Sequence, residues 1–194
     1  MGVELTDVAP GLWLWRQRYP HWRPEVGWEP VVTSTYMECG GEAAVLDARP
    51  PTLAVVLKPD HVRDVDAIVR RYGIPAFGPW LFWRQNIPET ELEPIQPGTR
   101  LPGGMEALYD GRGRGETPLW VPDQRTIVFA DALTAQGDGT LRVWGTPWHA
   151  ERVLPALRDL LALPFERVIV SHGRPVHDRA AFERALELAP WADE

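Results

Sequence analysis

The chain has 194 residues, 44% of them hydrophobic and 24% charged, with 20 Pro, 17 Gly, 10 Trp and one Cys. That length suits one domain with one core, the apolar runs fall short of the roughly 20 residues of a membrane helix, and Cys39 alone makes neither an internal disulfide nor a thiolate zinc cluster. A formal charge of −7, from 27 acidic and 20 scattered basic residues, disfavours nucleic acid as a partner. No basic region followed by an apolar stretch opens the sequence, so no signal peptide, no membrane partner and a cytoplasmic location are expected.

In chain order, extended segments are expected at Leu12 to Arg16, Val31 to Glu38 and Ala43 to Asp47, the last two joined by a turn on Gly40 and Gly41. Leu53 to Lys58 is a continuous apolar strand, and Val62, Val65, Ile68, Val69 and Tyr72 recur at helical spacing before Gly73. With Ile74 to Phe77 as a further strand, residues 53–77 form a strand, helix, strand unit of the kind that builds parallel pairs. Trp80 to Pro102 reads as loop. Strands are expected again at Met105 to Tyr109, Thr117 to Val121, Thr126 to Ala130, Leu141 to Trp144 and Arg167 to Val170, with helices from about Trp148 to Leu161 and from Asp178 to Leu188. Pro155 argues against regularity in the first of these helices, and Asp178 is a suitable N-cap for the second. Strands interleaved with one-faced helices imply sheets covered by helices, a layered α/β or α+β domain.

Clefts in such folds open at the carboxyl ends of strands, so polar residues there are the ones to watch. The apolar strand ends in Lys58-Pro59-Asp60-His61-Val62-Arg63-Asp64, strand Thr126 to Ala130 in Asp131, and strand Arg167 to Val170 in Ser171-His172-Gly173. A glycine-rich segment, Asp110 to Glu116, precedes another strand. His149 and His177 read as solvent-facing. Trp22, Trp28, Trp80, Trp83, Trp144 and Trp148 fall in loops or at element ends, where they either anchor loops or wall a ligand cleft or subunit interface. Trp80, Trp83 and Trp148 are the candidate ligand-binding residues.

Ala9-Pro10-Gly11-Leu12-Trp13, the hairpin ending in Val45-Leu46-Asp47, the strand into His61, Phe129-Ala130-Asp131-Ala132-Leu133 and Val168-Ile169-Val170-Ser171-His172-Gly173 follow one another in the order and spacing of the metallo-β-lactamase superfamily, which the chain resembles over nearly its whole length. The resemblance implies an αββα sandwich of two mixed sheets covered by helices, with a site along one sheet edge that ordinarily holds two zinc ions. It lays the family's H-x-H-x-D-H on Pro59, Asp60, His61, Val62, Arg63 and Asp64, so that only His61 matches. A further family histidine falls on Arg112, with Arg114 as the alternative register, while the bridging Asp and the last His are kept as Asp131 and His172.

Pro59, Arg63 and Arg112 thus stand at substituted ligand positions, and guanidinium groups beside a dication are electrostatically costly. The expectation is a degenerate metal site without binuclear zinc chemistry, available to a small-molecule ligand. Arg112 or Arg63 would then lie within about 2.7–3.2 Å of Asp131 or Asp64. The alternative is a mononuclear hydrolase holding zinc, manganese or iron through His61, Asp64, Asp131 and His172. A third reading is a homo-oligomeric interaction protein with a Trp-rich surface. Ser34 and Ser171 stand outside any G-x-S-x-G, which argues against a serine hydrolase.

Overall fold

The computed structural model describes residues 4–44, 50–82, 84–109 and 116–192. Strands β1 (Glu4–Ala9), β2 (Leu12–Arg18), β3 (Val31–Cys39) and β4 (Glu42–Ala44) form an antiparallel sheet in chain order. Next come β5 (Ala54–Val55), helix α1 (Val65–Tyr72) and β6 (Ala76–Gly78), and β6 pairs parallel with β5 as the strand, helix, strand pattern requires. The second large sheet takes β8 (Glu106–Ala107), β9 (Leu119–Val121), β10 (Thr126–Val128), β13 (Arg167–Ile169) and β14 (Val176–Asp178), in the order β14-β13-β10-β9-β8. Between β10 and its parallel neighbour β13 the chain runs through the short pair β11 (Leu133–Thr134) and β12 (Arg142–Val143) and helix α2 (Pro147–Asp159); α3 (Arg179–Ala185) closes the fold.

Three hydrophobic layers account for the stacking. Leu12, Leu14, Met37, Met105, Val121, Val128 and Ile169 fill the space between the two large sheets. On the outer face of the second sheet, Phe129 and Val168 pack against Val153 and Leu157 of α2 and Phe182 of α3. Trp15 and Tyr36 meet Val65 of α1 on the other side. The result is the expected αββα sandwich. Apolar residues alternating along a strand face one side of a sheet, and those at helical spacing form one stripe, so each element has a single surface to bury.

Local signals explain the helix ends. Thr146 Oγ1 accepts from the His149 amide, Pro147 opens α2 where its missing N–H costs nothing, and Pro155 lies on the exposed side, so the carbonyl it leaves unbonded faces solvent. Asp178 Oδ1 accepts from the Ala181 amide at 2.7 Å, as the sequence predicts.

Several expectations need correction. The stretch from Trp80 to Pro102 is not wholly loop: a 3-10 turn covers Arg84–Asn86, and β7 (Glu93–Pro94) pairs parallel with β6. Strands β1, β11 and β14 lack the apolar runs that mark the others and were not expected. His177 is buried on β14, its Nε2 2.8 Å from the Arg174 carbonyl, because the edge strand turns that side inward. The hairpin end Val45 to Asp47 lies outside the described residues. Among the described residues no helix is long and apolar enough to cross a membrane.

Candidate metal centre

Three turns deliver the site. The first follows β5, where the amide of His61 bonds the carbonyl of Lys58 at 2.9 Å and closes a turn with Pro59 at its second position, the place where a fixed φ is an advantage. Pro59 thereby helps bring Lys58 and His61 round to the same target, Asp131. The second turn carries Asp131 beyond β10. Its neighbours Ala130 and Ala132 donate their amides to Glu116 Oε1 at 3.0 and 3.1 Å, so a buried carboxylate fixes the backbone on both sides of Asp131.

The third turn carries His172, which is tied into both sheets. Thr33 of β3 donates to the Ser171 carbonyl at 2.9 Å, and Ala135 donates to the His172 carbonyl at 3.1 Å. Gly173 has φ +81°, and a Cβ there would lie 2.1 Å from the Ala135 carbonyl carbon. Only glycine permits this close crossing.

His61, Asp131 and His172 each present one ligand atom, all within 4.8 Å of one another. Asp131 Oδ1 lies 3.1 Å from His61 Nε2 and 3.4 Å from His172 Nε2. Its other oxygen, Oδ2, is 2.7 Å from the ammonium of Lys58, which also pairs with Asp60. The carboxylate is thus divided between an imidazole pair and a cation.

Burial disfavours a charged Lys58, yet the carboxylates of Asp131 and Asp60 outweigh it and hold its pKa above the ordinary value. Burial pushes His61 down, toward the neutral imidazole, against the pull of Asp131. Burial would raise Asp131, but the His61 ring, the hydrogen bond from His172 and the Lys58 ammonium hold it well below the usual carboxylate range. With His61 neutral, Lys58 is the lasting positive charge in contact with Asp131 among the described residues. Glu116 is fully buried and raised to about 7, first by burial and then by the charge of Asp131.

The remaining expected residues lie elsewhere. Asp64 is exposed and accepts from Gln17 Nε2 at 3.4 Å, outside the three-residue cluster. Arg63 does not hydrogen-bond Asp131 or Asp64; its Nη1 donates to the Thr33 carbonyl at 2.6 Å and to Ser34 Oγ at 2.8 Å. A left-handed φ of 45° at Arg63 turns the side chain toward β3; among the described residues Lys58 is the cation that pairs with Asp131. Arg112, Arg114 and Trp83 lie outside the described residues.

Trp80 and Trp148 are 65% and 57% exposed, Trp148 beneath the Arg152 guanidinium, and neither walls the cluster. The aromatic wall consists of Trp28 and Trp144, whose rings stand edge-on to His172 at 5.1 and 5.0 Å. Lys58, Glu116, Trp28 and Trp144 are thus the site residues that reading the sequence overlooked or left unselected. One signal for Lys58 was available, since it is the only lysine of the chain and it ends an apolar strand.

No protein-family model and no curated protein matches this sequence. Among solved structures, a metallo-β-lactamase from Pontibacter korlensis superposes with a TM-score of 0.70 at 18% identity, covering 96% of this chain and 98% of that one. The metallo-β-lactamase FIM-1 from Pseudomonas aeruginosa, in its mono-zinc form, gives 0.70 at 18% over 97% and 95%. A metallo-β-lactamase from Erythrobacter litoralis gives 0.66 at 16% over 96% and 95%. The chain therefore has the metallo-β-lactamase fold, and among the described residues its metal site is incomplete, with three ligand residues, His61, Asp131 and His172.

Proposed function

We propose that the chain is a mononuclear metal-dependent hydrolase, holding one divalent transition-metal ion through His61, Asp131 and His172, with the ammonium of Lys58 in place of a second ion. The division of Asp131 carries this reading: Oδ1 faces the two imidazoles and Oδ2 faces Lys58. The donor set fits such an ion. Two imidazoles and a carboxylate are the usual ligands of catalytic zinc, His61 is held neutral, and Asp131 is held ionised. When bound, the ion supplies Lewis acidity at an open coordination position.

The protein groups prepare that position. Lys58 keeps Asp131 charged and oriented, as hydrogen-bonded carboxylate ligands are elsewhere, and Glu116 holds the backbone on either side of it. Trp28 and Trp144 restrict water around His172. The mono-zinc form of FIM-1 is a case of this fold holding one ion. The lone buried Cys39 suits the cytoplasm as the working compartment.

A metal-free ligand site is the second reading. His172 Nδ1 is buried without a partner among the described residues, whereas a metal-bound histidine ordinarily donates its other N–H to a carboxylate, carbonyl or water. Cobalt(II) titration of chelator-treated protein separates the two. The visible absorption of low-coordinate cobalt should rise to saturation in the native chain and be absent in His172→Ala. No cobalt spectrum in a folded native chain would leave the second reading.

A further inference from the structure

Beneath the His61 turn, between β3, α1 and the second sheet, lies a cavity of about 150 Å³. Its depth is apolar, with Trp15, Met105 and Phe129 among its walls, while Thr33, Ser34, Arg63 and Asp64 make one side polar and His61 borders it. Two features of that polar side have no use in the site described above. Thr33 Oγ1 is buried and has no hydrogen-bonding partner among the described residues. Arg63 spends one nitrogen, Nη1, on the Thr33 carbonyl and Ser34 Oγ, and makes no ion pair with any described carboxylate, although Asp64 and Asp131 lie close enough to be felt. Its Nε and Nη2 therefore remain as donors. The guanidinium is held on the cavity wall by a backbone in the left-handed region, a conformation uncommon for a residue with a Cβ.

An apolar cavity of this size admits a molecule of benzene's bulk, about six non-hydrogen atoms. A half-buried guanidinium on the cavity wall, with two nitrogens free of partners among the described residues, offers a site for a planar anion, which a carboxylate matches with paired hydrogen bonds. We propose that this cavity binds a small monocarboxylate with a short branched aliphatic tail, its carboxylate on Arg63 and Thr33 and its tail against Trp15, Met105 and Phe129. The cavity adjoins the metal cluster through His61, but the proposal does not rest on the reading of that cluster as a metal centre.

Isobutyrate is the probe, used with chelator present so that no bound ion attracts the anion, and compared at equal ionic strength with its neutral amide, isobutyramide. Isobutyrate should raise the melting temperature of the native chain saturably and shift the ε-methyl NMR signal of Met105, with isobutyramide binding at least about tenfold more weakly. Arg63→Met should remove the preference for the anion while leaving weak binding of both compounds. Equal binding of the two by the native chain would overturn the proposal. So would a melting shift that leaves the Met105 methyl unmoved, or a full anion preference surviving in Arg63→Met. The first two comparisons need no variant, so a failure of Arg63→Met to fold does not shield the proposal.

Discussion

The ammonium of Lys58 lies 2.7 Å from Oδ2 of Asp131, and both side chains are almost completely buried. A pair of this kind is far more costly to break than to build, because removing one partner leaves the other charge in a medium that solvates it poorly. Lys58→Met should destabilise the chelator-treated protein by about 3–5 kcal/mol, read from urea unfolding. The same change frees Asp131 from the group that keeps it charged and oriented, so zinc should raise the melting temperature of Lys58→Met less than that of the native chain. An equal or larger zinc effect would mean that Lys58 does not prepare Asp131 for the ion.

Lys58 is the only lysine, which makes its environment directly readable. Its pKa is held above the ordinary value and its ammonium is enclosed by Asp60 and Asp131. Amine acylation of the folded protein should leave the Lys58 peptide unmodified, and acylation after denaturation should modify it fully. Rapid labelling in the folded state would place the ammonium in solvent.

Glu116 should leave a signature in the dependence of stability on pH. Its folded pKa is raised from 4.5 to about 7, so across that interval the folded chain retains a proton that the unfolded chain has released. Stability from this group is therefore complete below the lower value and falls as pH rises toward the upper, by an amount on the order of 3 kcal/mol. Glu116→Gln keeps an acceptor for the amides of Ala130 and Ala132 and abolishes the titration. The difference in stability between Glu116→Gln and the native chain should move in favour of the variant between those pH values, because the other titrating groups cancel in the comparison. A difference independent of pH would contradict a buried, raised Glu116.

Gly173 tests the backbone that presents His172. An added Cβ would meet the Ala135 carbonyl at 2.1 Å and the Gln136 amide at 2.4 Å, both backbone atoms that cannot step aside. Gly173→Ala should cost more than about 3 kcal/mol in urea unfolding and weaken zinc binding with it. A variant as stable as the native chain would show that the crossing is looser than described.

The sequence made the layers legible where burial has a period. Leu12 and Leu14 alternate along one strand, and Val65, Ile68, Val69 and Tyr72 form one helical stripe, so sheet and helix could each be read from spacing. Strands β7 and β14 could not, because their residues are Glu93-Pro94 and Val176-His177-Asp178, held by pairing rather than by an apolar pattern. At the site, His61, Asp131 and His172 were visible as polar residues ending strands. The resemblance puts Arg63 or Arg112 beside Asp131 or Asp64. Arg63 bonds Thr33 and Ser34 instead, Arg112 lies outside the described residues, and the Lys58-Pro59-Asp60-His61 turn brings a lysine to Asp131 that the sequence pattern does not single out. Trp28 and Trp144 are remote from His172 in the chain, and only the crossing of the two sheets brings them to its ring.

The account stands on a one-ion centre at His61, Asp131 and His172, and metal stoichiometry tests it most directly. Chelator-treated protein titrated with zinc in a calorimeter, with elemental analysis of the dialysed product, should bind one equivalent per chain, and His172→Ala should lose it while remaining folded. Two tightly held equivalents, or none in a folded native chain, would contradict it.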